Sequence, residues 1–214
     1  KITASTAGDF RFQNFPLQDV SFTAALRDDE IIVDKVEGRF GGGTTTGRAR
    51  VWGAGNARRV NFDFTLKDAS LGQAAASLEE FIASQGNRPP APPGKYVQEK
   101  ASVRIDLSAT AEGAYTDLRS YRGQGTAALR GAEIGQVPLL GALSDLLKFT
   151  ALRLTSANAN FRIEGPKLVF PEVTLRGSDA AIYAHGDYVL DGHKFDFNAK
   201  LFPYLNGFKQ RASG

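Results

Sequence analysis

Residues 167–203 read KLVFPEVTLRGSDAAIYAHGDYVLDGHKFDFNAKLFP, and this stretch decides the fold class. It divides into three or four short strands joined by tight turns. The last, Lys194 to Leu201, alternates cleanly. Phe195, Phe197, Ala199 and Leu201 fall on one side, and Lys194, Asp196, Asn198 and Lys200 on the other. Side chains along a strand have a period of two, so this pattern gives one apolar face and one wet face. The same grammar occurs earlier, between Ile31 and Leu66. Ile31-Ile32-Val33 matches Leu168-Val169-Phe170, and Val36 matches Val173. Gly47-Arg48-Ala49-Arg50-Val51 matches Gly186-Asp187-Tyr188-Val189-Leu190, and Val60 to Phe64 matches Lys194 to Phe197 in pattern. A degenerate repeat of one-sided strands predicts a long sheet with a continuous apolar face.

Further strands are expected at Val20–Leu26, Glu30–Arg39, Val60–Leu66 and Val103–Leu107, and a weaker one at Leu118–Arg130, where Gly123 and Gly125 interrupt. Leu152 and Leu154, then Ala157, Ala159, Phe161 and Ile163, also alternate, with a shift of face between the two sets. Two segments change period. Leu71, Ala74, Ala75, Leu78, Phe81 and Ile82 follow helical spacing, with Ser70 and Gln73 as a capping box and Gly86 beyond the last turn. Pro138 opens a second helix whose apolar side carries Leu139, Leu140, Leu143, Leu146 and Leu147. Docking on the sheet, lying in a membrane interface and meeting a partner all fit that helix. Only Lys148 supplies charge for lipid headgroups, which favours docking.

The fold expected is therefore mainly β with two or more helices. It is a curved, repeat-like antiparallel sheet with an apolar groove, the helices packed on it or capping it. Residues 1–86 form a β repeat followed by a helix. Residues 87–100, with the run Arg88-Pro89-Pro90-Ala91-Pro92-Pro93, form a Pro-rich linker or loop. Residues 101–214 form a second β region, which can continue the sheet of 1–86.

Composition narrows the function. The 214 residues are 42% hydrophobic and 23% charged, ordinary values for a folded chain. No apolar run is long enough to span a bilayer as a helix. The chain opens on Lys1 and contains no Met, so it is read as a fragment or processed product. There is no Cys, which removes disulfides, thiol nucleophiles and thiolate metal sites. The net charge of +3 comes from 26 basic and 23 acidic residues, scattered apart from pairs such as Arg58-Arg59. A nucleic-acid surface needs a basic stripe with stacking aromatics, so no nucleic-acid partner is expected.

Catalytic constellations are equally sparse. Gly41 to Arg48 resembles a phosphate loop only superficially. Arg48 and Ala49 stand where Lys and Ser/Thr are required, and a strand follows, so the segment reads as a flexible hairpin connection. His185 and His193 are the only histidines; with Asp187 and Asp191 they can be drawn as a metal site, but Asp191-Gly192 is a strong turn signal that solvates His193. No Gly-x-Ser-x-Gly elbow is present. The expectation is no enzyme, no cofactor and no metal.

Residues from about Arg130 to Pro203 resemble the C-terminal region of AsmA-like bacterial envelope proteins, related in architecture to TamB, YhdP and the bridge-like lipid-transfer proteins. The resemblance rests on an ordered series of motifs. They are Ile134-Gly135-Gln136-Val137-Pro138-Leu139-Leu140-Gly141, Ala159-Asn160-Phe161-Arg162-Ile163-Glu164-Gly165, Val173-Thr174-Leu175-Arg176-Gly177, Ala184-His185-Gly186-Asp187-Tyr188-Val189-Leu190-Asp191 and Phe195-Asp196-Phe197. It extends more weakly to Ile31–Leu66, and the Pro-rich segment has no counterpart in it. The resemblance implies a periplasmic module, tied to the inner membrane by an anchor outside this segment and engaged in phospholipid movement and outer-membrane homeostasis. Its partners would be phospholipid acyl chains. The groove candidates are Phe62, Phe64, Leu66, Val103, Ile105, Leu107, Phe161, Ile163, Phe195, Phe197 and Leu201. The alternative is a structural or protein-interaction β-sandwich with no ligand groove, its envelope partners unspecified.

Overall fold

Strand pairing in the computed structural model follows the order of the sequence. The structure describes residues 2–12, 15–74, 76–77, 102–132, 134, 153–189 and 194–204. The strands are β1 (Ile2–Ser5), β2 (Asp9–Phe12), β3 (Phe15–Arg27), β4 (Glu30–Phe40), β5 (Gly43–Trp52) and β6 (Arg59–Ser70). They continue as β7 (Arg104–Ala114), β8 (Asp117–Arg130), β9 (Leu154–Glu164), β10 (Lys167–Gly177), β11 (Ala180–Val189) and β12 (Lys194–Pro203). From β3 to β12 each strand pairs antiparallel with its neighbours in sequence, while β1 and β2 share the outer edge of β3. The result is one open, mainly antiparallel meander. Its path begins at β1 and ends at β12, so the sheet does not close. β6 pairs with β7 from Arg59↔Ala114 to Ser70↔Arg104, so the sheet runs unbroken past the Pro-rich segment, which itself lies outside the described residues.

Helical structure is slight among the described residues. Gly55–Ala57 forms one 3₁₀ turn, and residues 71–74 and 76–77 open a helix where the period changes. Ser70 Oγ accepts the Gln73 N–H at 3.4 Å, as an N-cap should. The other half of the expected capping box is absent, because the Ser70 N–H already donates to Gly41 O at 2.8 Å. The rest of that helix, and the Leu-rich helix expected from Pro138, lie outside the described residues. The Gly41-Gly42 connection is a tight two-residue turn with positive φ at both positions, the pattern of a type I′ hairpin. It is packed rather than flexible: a methyl on Gly41 would lie 2.9 Å from Ala74.

The register explains how one face stays apolar over so many strands. In β4 the pairing slips between Val33 and Val36, in β6 between Leu66 and Ala69, and in β10 between Phe170 and Val173. Each slip is a β-bulge that keeps two adjacent polar or proline positions off the apolar side: Asp34-Lys35, Lys67-Asp68 and Pro171-Glu172. Asp68 takes φ 54, and its N–H donates to Asp106 Oδ1 at 2.7 Å. The shift of face expected between Leu154 and Ala157 is a fourth slip of this kind. It has the opposite effect from a change of side, because both residues end in the same buried cluster.

The bulges in β4 and β10 fall at the matched positions of the sequence repeat, so β4–β6 and β10–β12 are equivalent three-strand units. The correspondence slips by one residue pair between the first and second strands: Gly47 faces Val36, beyond its bulge, whereas Gly186 faces Phe170, before its bulge.

Candidate functional site on the apolar face

Register alone assembles the apolar face into rows that cross the sheet. One runs Val33, Ala49, Phe62, Ala111, Gly123, Ile163, Leu168 and Tyr188, ending at position 195. A second runs Phe22, Val36, Gly47, Phe64, Ala109, Gly125 and Phe161, then Phe170, Gly186 and Phe197. A third carries Leu66, Leu107, Ala127, Ala159, Val173, Ala184 and Ala199, and a fourth Ala69, Ile105, Leu129, Ala157, Leu175, Ile182 and Leu201. From β4 to β12 the first row spans about 38 Å at a strand spacing of about 4.8 Å.

The candidates that the rows carry with described side chains share one face, but not one environment. Val103 is 1% exposed and Leu66 3%, so both are core rather than groove. Val103 joins Ile134, Leu154, Leu175 and Ile182 in a buried cluster, and Leu201 and Phe197 pack on its margin. Ile105 and Leu107 are half-buried beside these rows. Phe62, Phe64, Phe161 and Ile163 are half-exposed in the first two rows. The backbone of Phe195 pairs with Tyr188 at the end of the first row; its side chain is outside the described set.

Sequence reasoning missed Phe170 and Tyr121. Phe170 bridges Phe161 and Phe197, with ring centroids 6.0 and 5.7 Å away. Tyr121 lies 6.3 Å from Phe62, and burial pushes its hydroxyl pKa up, with Tyr115 adding to the shift. Pro171-Glu172 breaks the alternation after Phe170, and the glycines of β8 disguise the parity of Tyr121. Those glycines are themselves a signal. A methyl on Gly125 would lie 2.3 Å from the Phe161 ring, and one on Gly186 2.7 Å from Phe197, so rings lie flat across bare backbone. The apolar face is thus paved with aromatic rings along β8–β12. Toward β4–β6 it opens into a cleft of about 210 Å³ lined by Leu17, Val36, Gly47, Ala49, Phe62 and Phe64.

The opposite face is held by ion pairs between neighbouring strands: Arg50–Glu30 at 2.6 Å, Arg48–Asp63 at 2.7 Å, Arg59–Glu112 at 2.7 Å, Arg130–Asp106 at 2.6 Å and Lys167–Asp187 at 2.5 Å. All are exposed or half-exposed, so each contributes about 0–1 kcal/mol; they mark the wet side more than they stabilise it. The Thr110 hydroxyl, and then Arg48, hold the Asp63 carboxyl below its usual range. Lys167 is raised by its hydrogen bond to Asp187. The larger hollows, about 670 and 660 Å³, lie on this wet face over Thr65, Ser108, Thr126 and Asn160. Both hollows carry charged side chains that stay hydrated, Asp106 and Arg130 in one and Arg48 and Asp63 in the other, so volume alone does not select the site.

His185 is exposed on the wet face opposite Asn198, in a shallow depression with Asp187 and Asp196; His193 lies outside the described residues. Among the described residues no group of three or more His, Cys, Asp or Glu could hold a metal ion, and no helix is long and apolar enough to cross a membrane. No family model matches the chain, and no curated protein or solved structure matches it.

Proposed function

We propose that this chain is a non-enzymatic phospholipid-binding and phospholipid-transfer module of the AsmA-like type. In this reading it works in the periplasm, held near the inner membrane by an anchor beyond this segment, and serves outer-membrane homeostasis. One observation carries the proposal: an open meander keeps a single apolar face over about 38 Å, through repeated bulges, while the other face is wet. A bilayer leaflet has a hydrocarbon depth of about 15 Å, half the usual core thickness, so more than one acyl tail fits along the row. Ten methylenes half removed from water gain about 4 kcal/mol at ~0.8 kcal/mol per buried methylene. That is enough to hold a tail and still release it. Arg48, Arg50, Arg59 and Arg130 are tied up in ion pairs on the wet face, so headgroup selection should be weak.

The alternative, a filled interaction module, draws on the buried cluster around Leu175 and Ile182. The two readings divide the face between them: tails would follow the Phe62 and Phe64 rows, not the closed rows. The deciding experiment is native mass spectrometry after incubation with mixed phosphatidylethanolamine and phosphatidylglycerol vesicles. Lipid adducts of both headgroups support the proposal. A bare protein mass at every gentle setting supports the filled module.

A further inference from the structure

We propose that the cleft over Gly47 seats one hydrocarbon chain, with the bare Gly47 backbone as its floor and Phe64 as a wall. The choice of a hydrocarbon chain rests on the lipid reading above; the cleft and its floor do not. The second row holds three glycines, Gly47, Gly125 and Gly186. Each stands directly opposite a phenylalanine of the next strand: Phe64, Phe161 and Phe197. In two of these pairs the ring lies across the glycine. A Cβ on Gly125 would run into the Phe161 ring, and one on Gly186 would come to 2.7 Å from the Phe197 ring. A ring laid over bare strand backbone supplies the packing that a glycine lacks. The third pair is without that cover. Its chain neighbours aside, the one heavy atom among the described residues within 4 Å of a Cβ on Gly47 is Asp63 O, at 3.0 Å. The Phe64 ring therefore stands clear of the glycine.

Backbone geometry does not call for glycine at position 47. Its φ is not in the left-handed region. The bulge across from it belongs to β4, where Asp34 and Lys35 are the extra residues, so β5 itself runs regularly. Glycine inside a strand costs stability, and it marks places where a ligand or another backbone approaches closely. Here the space over it is the cleft of about 210 Å³, whose open surface is almost wholly apolar. An engineered apolar cavity of ~150 Å³ takes benzene, so the size suits a ring or a short run of methylenes. Phe62 closes another side, braced by Tyr121 at 6.3 Å between ring centroids. Beyond Phe64 the row continues with Ala109, a small side chain, so a chain can run on across the sheet where a ring would stop.

NMR of methyl-labelled protein with dodecanoate, kept below its micelle concentration, tests the seat. Chain protons should give intermolecular NOEs to the methyls of Leu17, Val36 and Ala49, and none to Leu175 or Ile182, which are 0% exposed. Gly47→Val grows two methyls into the cleft and suits a strand. Each methylene so excluded weakens binding about fourfold, so the dissociation constant for dodecanoate should rise about tenfold or more. Ala49→Leu fills the cleft from the same strand without pressing on Asp63 O, and should act alike. Ala127→Leu adds bulk at a half-buried position of the third row outside the cleft, and should leave binding unchanged. Circular dichroism checks that each variant folds. A wild type that takes up no dodecanoate overturns the seat. So do NOEs confined to other methyls, or binding that survives both cleft-filling variants. Dodecanoate in the cleft with no phospholipid adduct by native mass spectrometry would overturn the transfer reading and leave the seat. Phospholipid adducts with an unaffected Gly47→Val and Ala49→Leu would do the reverse.

Discussion

A negative charge should separate the open part of the apolar face from its closed part. Phe64 stands half-exposed between Gly47 and Ala109, two small neighbours. Replacing it with Asp removes about half of the 1.5–3 kcal/mol that full burial of a large side chain contributes. It adds up to about 1 kcal/mol for a poor strand former. The carboxylate itself keeps its water. The total, about 1–2.5 kcal/mol, should lower Tm by roughly 2–10 °C in a chain of this size and leave the fold intact. Ile182 is 0% exposed inside the closed cluster. There Asp loses about 2–5 kcal/mol of packing, and several more for a charge without water or partner. That sum approaches the whole ~5–15 kcal/mol stability of a typical domain, so Ile182→Asp should be unfolded at 25 °C. Far-UV circular dichroism and urea titration read the fold, and a fluorescent phospholipid titration reads binding. Phe64→Asp should fold and bind at least tenfold more weakly than the wild type, with Phe64→Leu close to normal. Two outcomes defeat the reasoning. If Phe64→Asp unfolds like Ile182→Asp, the Phe64 row is core. If it folds and binds lipid normally, the apolar face is not the seat.

Other perturbations test the framework that holds this face. Gly186→Ala would push a methyl to within 2.1 Å of Asp196 O and 2.7 Å of Phe197, so a marked drop in the urea midpoint is expected; an unchanged midpoint would mean the ring does not lie over Gly186. Phe170→Ala removes two ring contacts at about 0.5–1.5 kcal/mol each, plus half a ring's burial, and should cost about 2–4 kcal/mol by chemical denaturation. The lowered pKa of Asp63 means that its contribution is present above the unfolded carboxyl pKa and lost as pH falls toward the folded one. Asp63→Asn and Thr110→Val should each flatten the acid limb of stability against pH. An acid limb unchanged in both would remove this carboxyl from the account.

Alternation made the strands legible. Period two placed Phe62, Phe64, Leu66, Ile105, Leu107 and Phe197 on one face, and their registers agree. What alternation does not carry is depth. Leu66 and Phe64 belong to the same run, yet the first is closed core and the second half-open, because burial depends on what lies over each row. Bulges defeated the pattern at Phe170, where two residues intrude before Val173. Glycine weighed the wrong way in β8. Gly123 and Gly125 counted against a strand there, yet β8 runs for 14 residues, because bare backbone lets the Phe161 ring settle on Gly125. The capping box failed in its second half for a tertiary reason, the prior hydrogen bond from Ser70 to Gly41, which no local window contains.

The sequential strand order also has a consequence for length. From β3 onward each strand pairs with the next strand in sequence, so a hairpin can be removed or inserted without rethreading its neighbours. Strand direction reverses at each turn, and an even change leaves every remaining strand with its original direction and its original side outward. Each hairpin then alters the span by about 10 Å, two strand spacings. The sheet behaves as a ruler graduated in hairpins, and its reach can evolve, or be engineered, independently of the surface it displays.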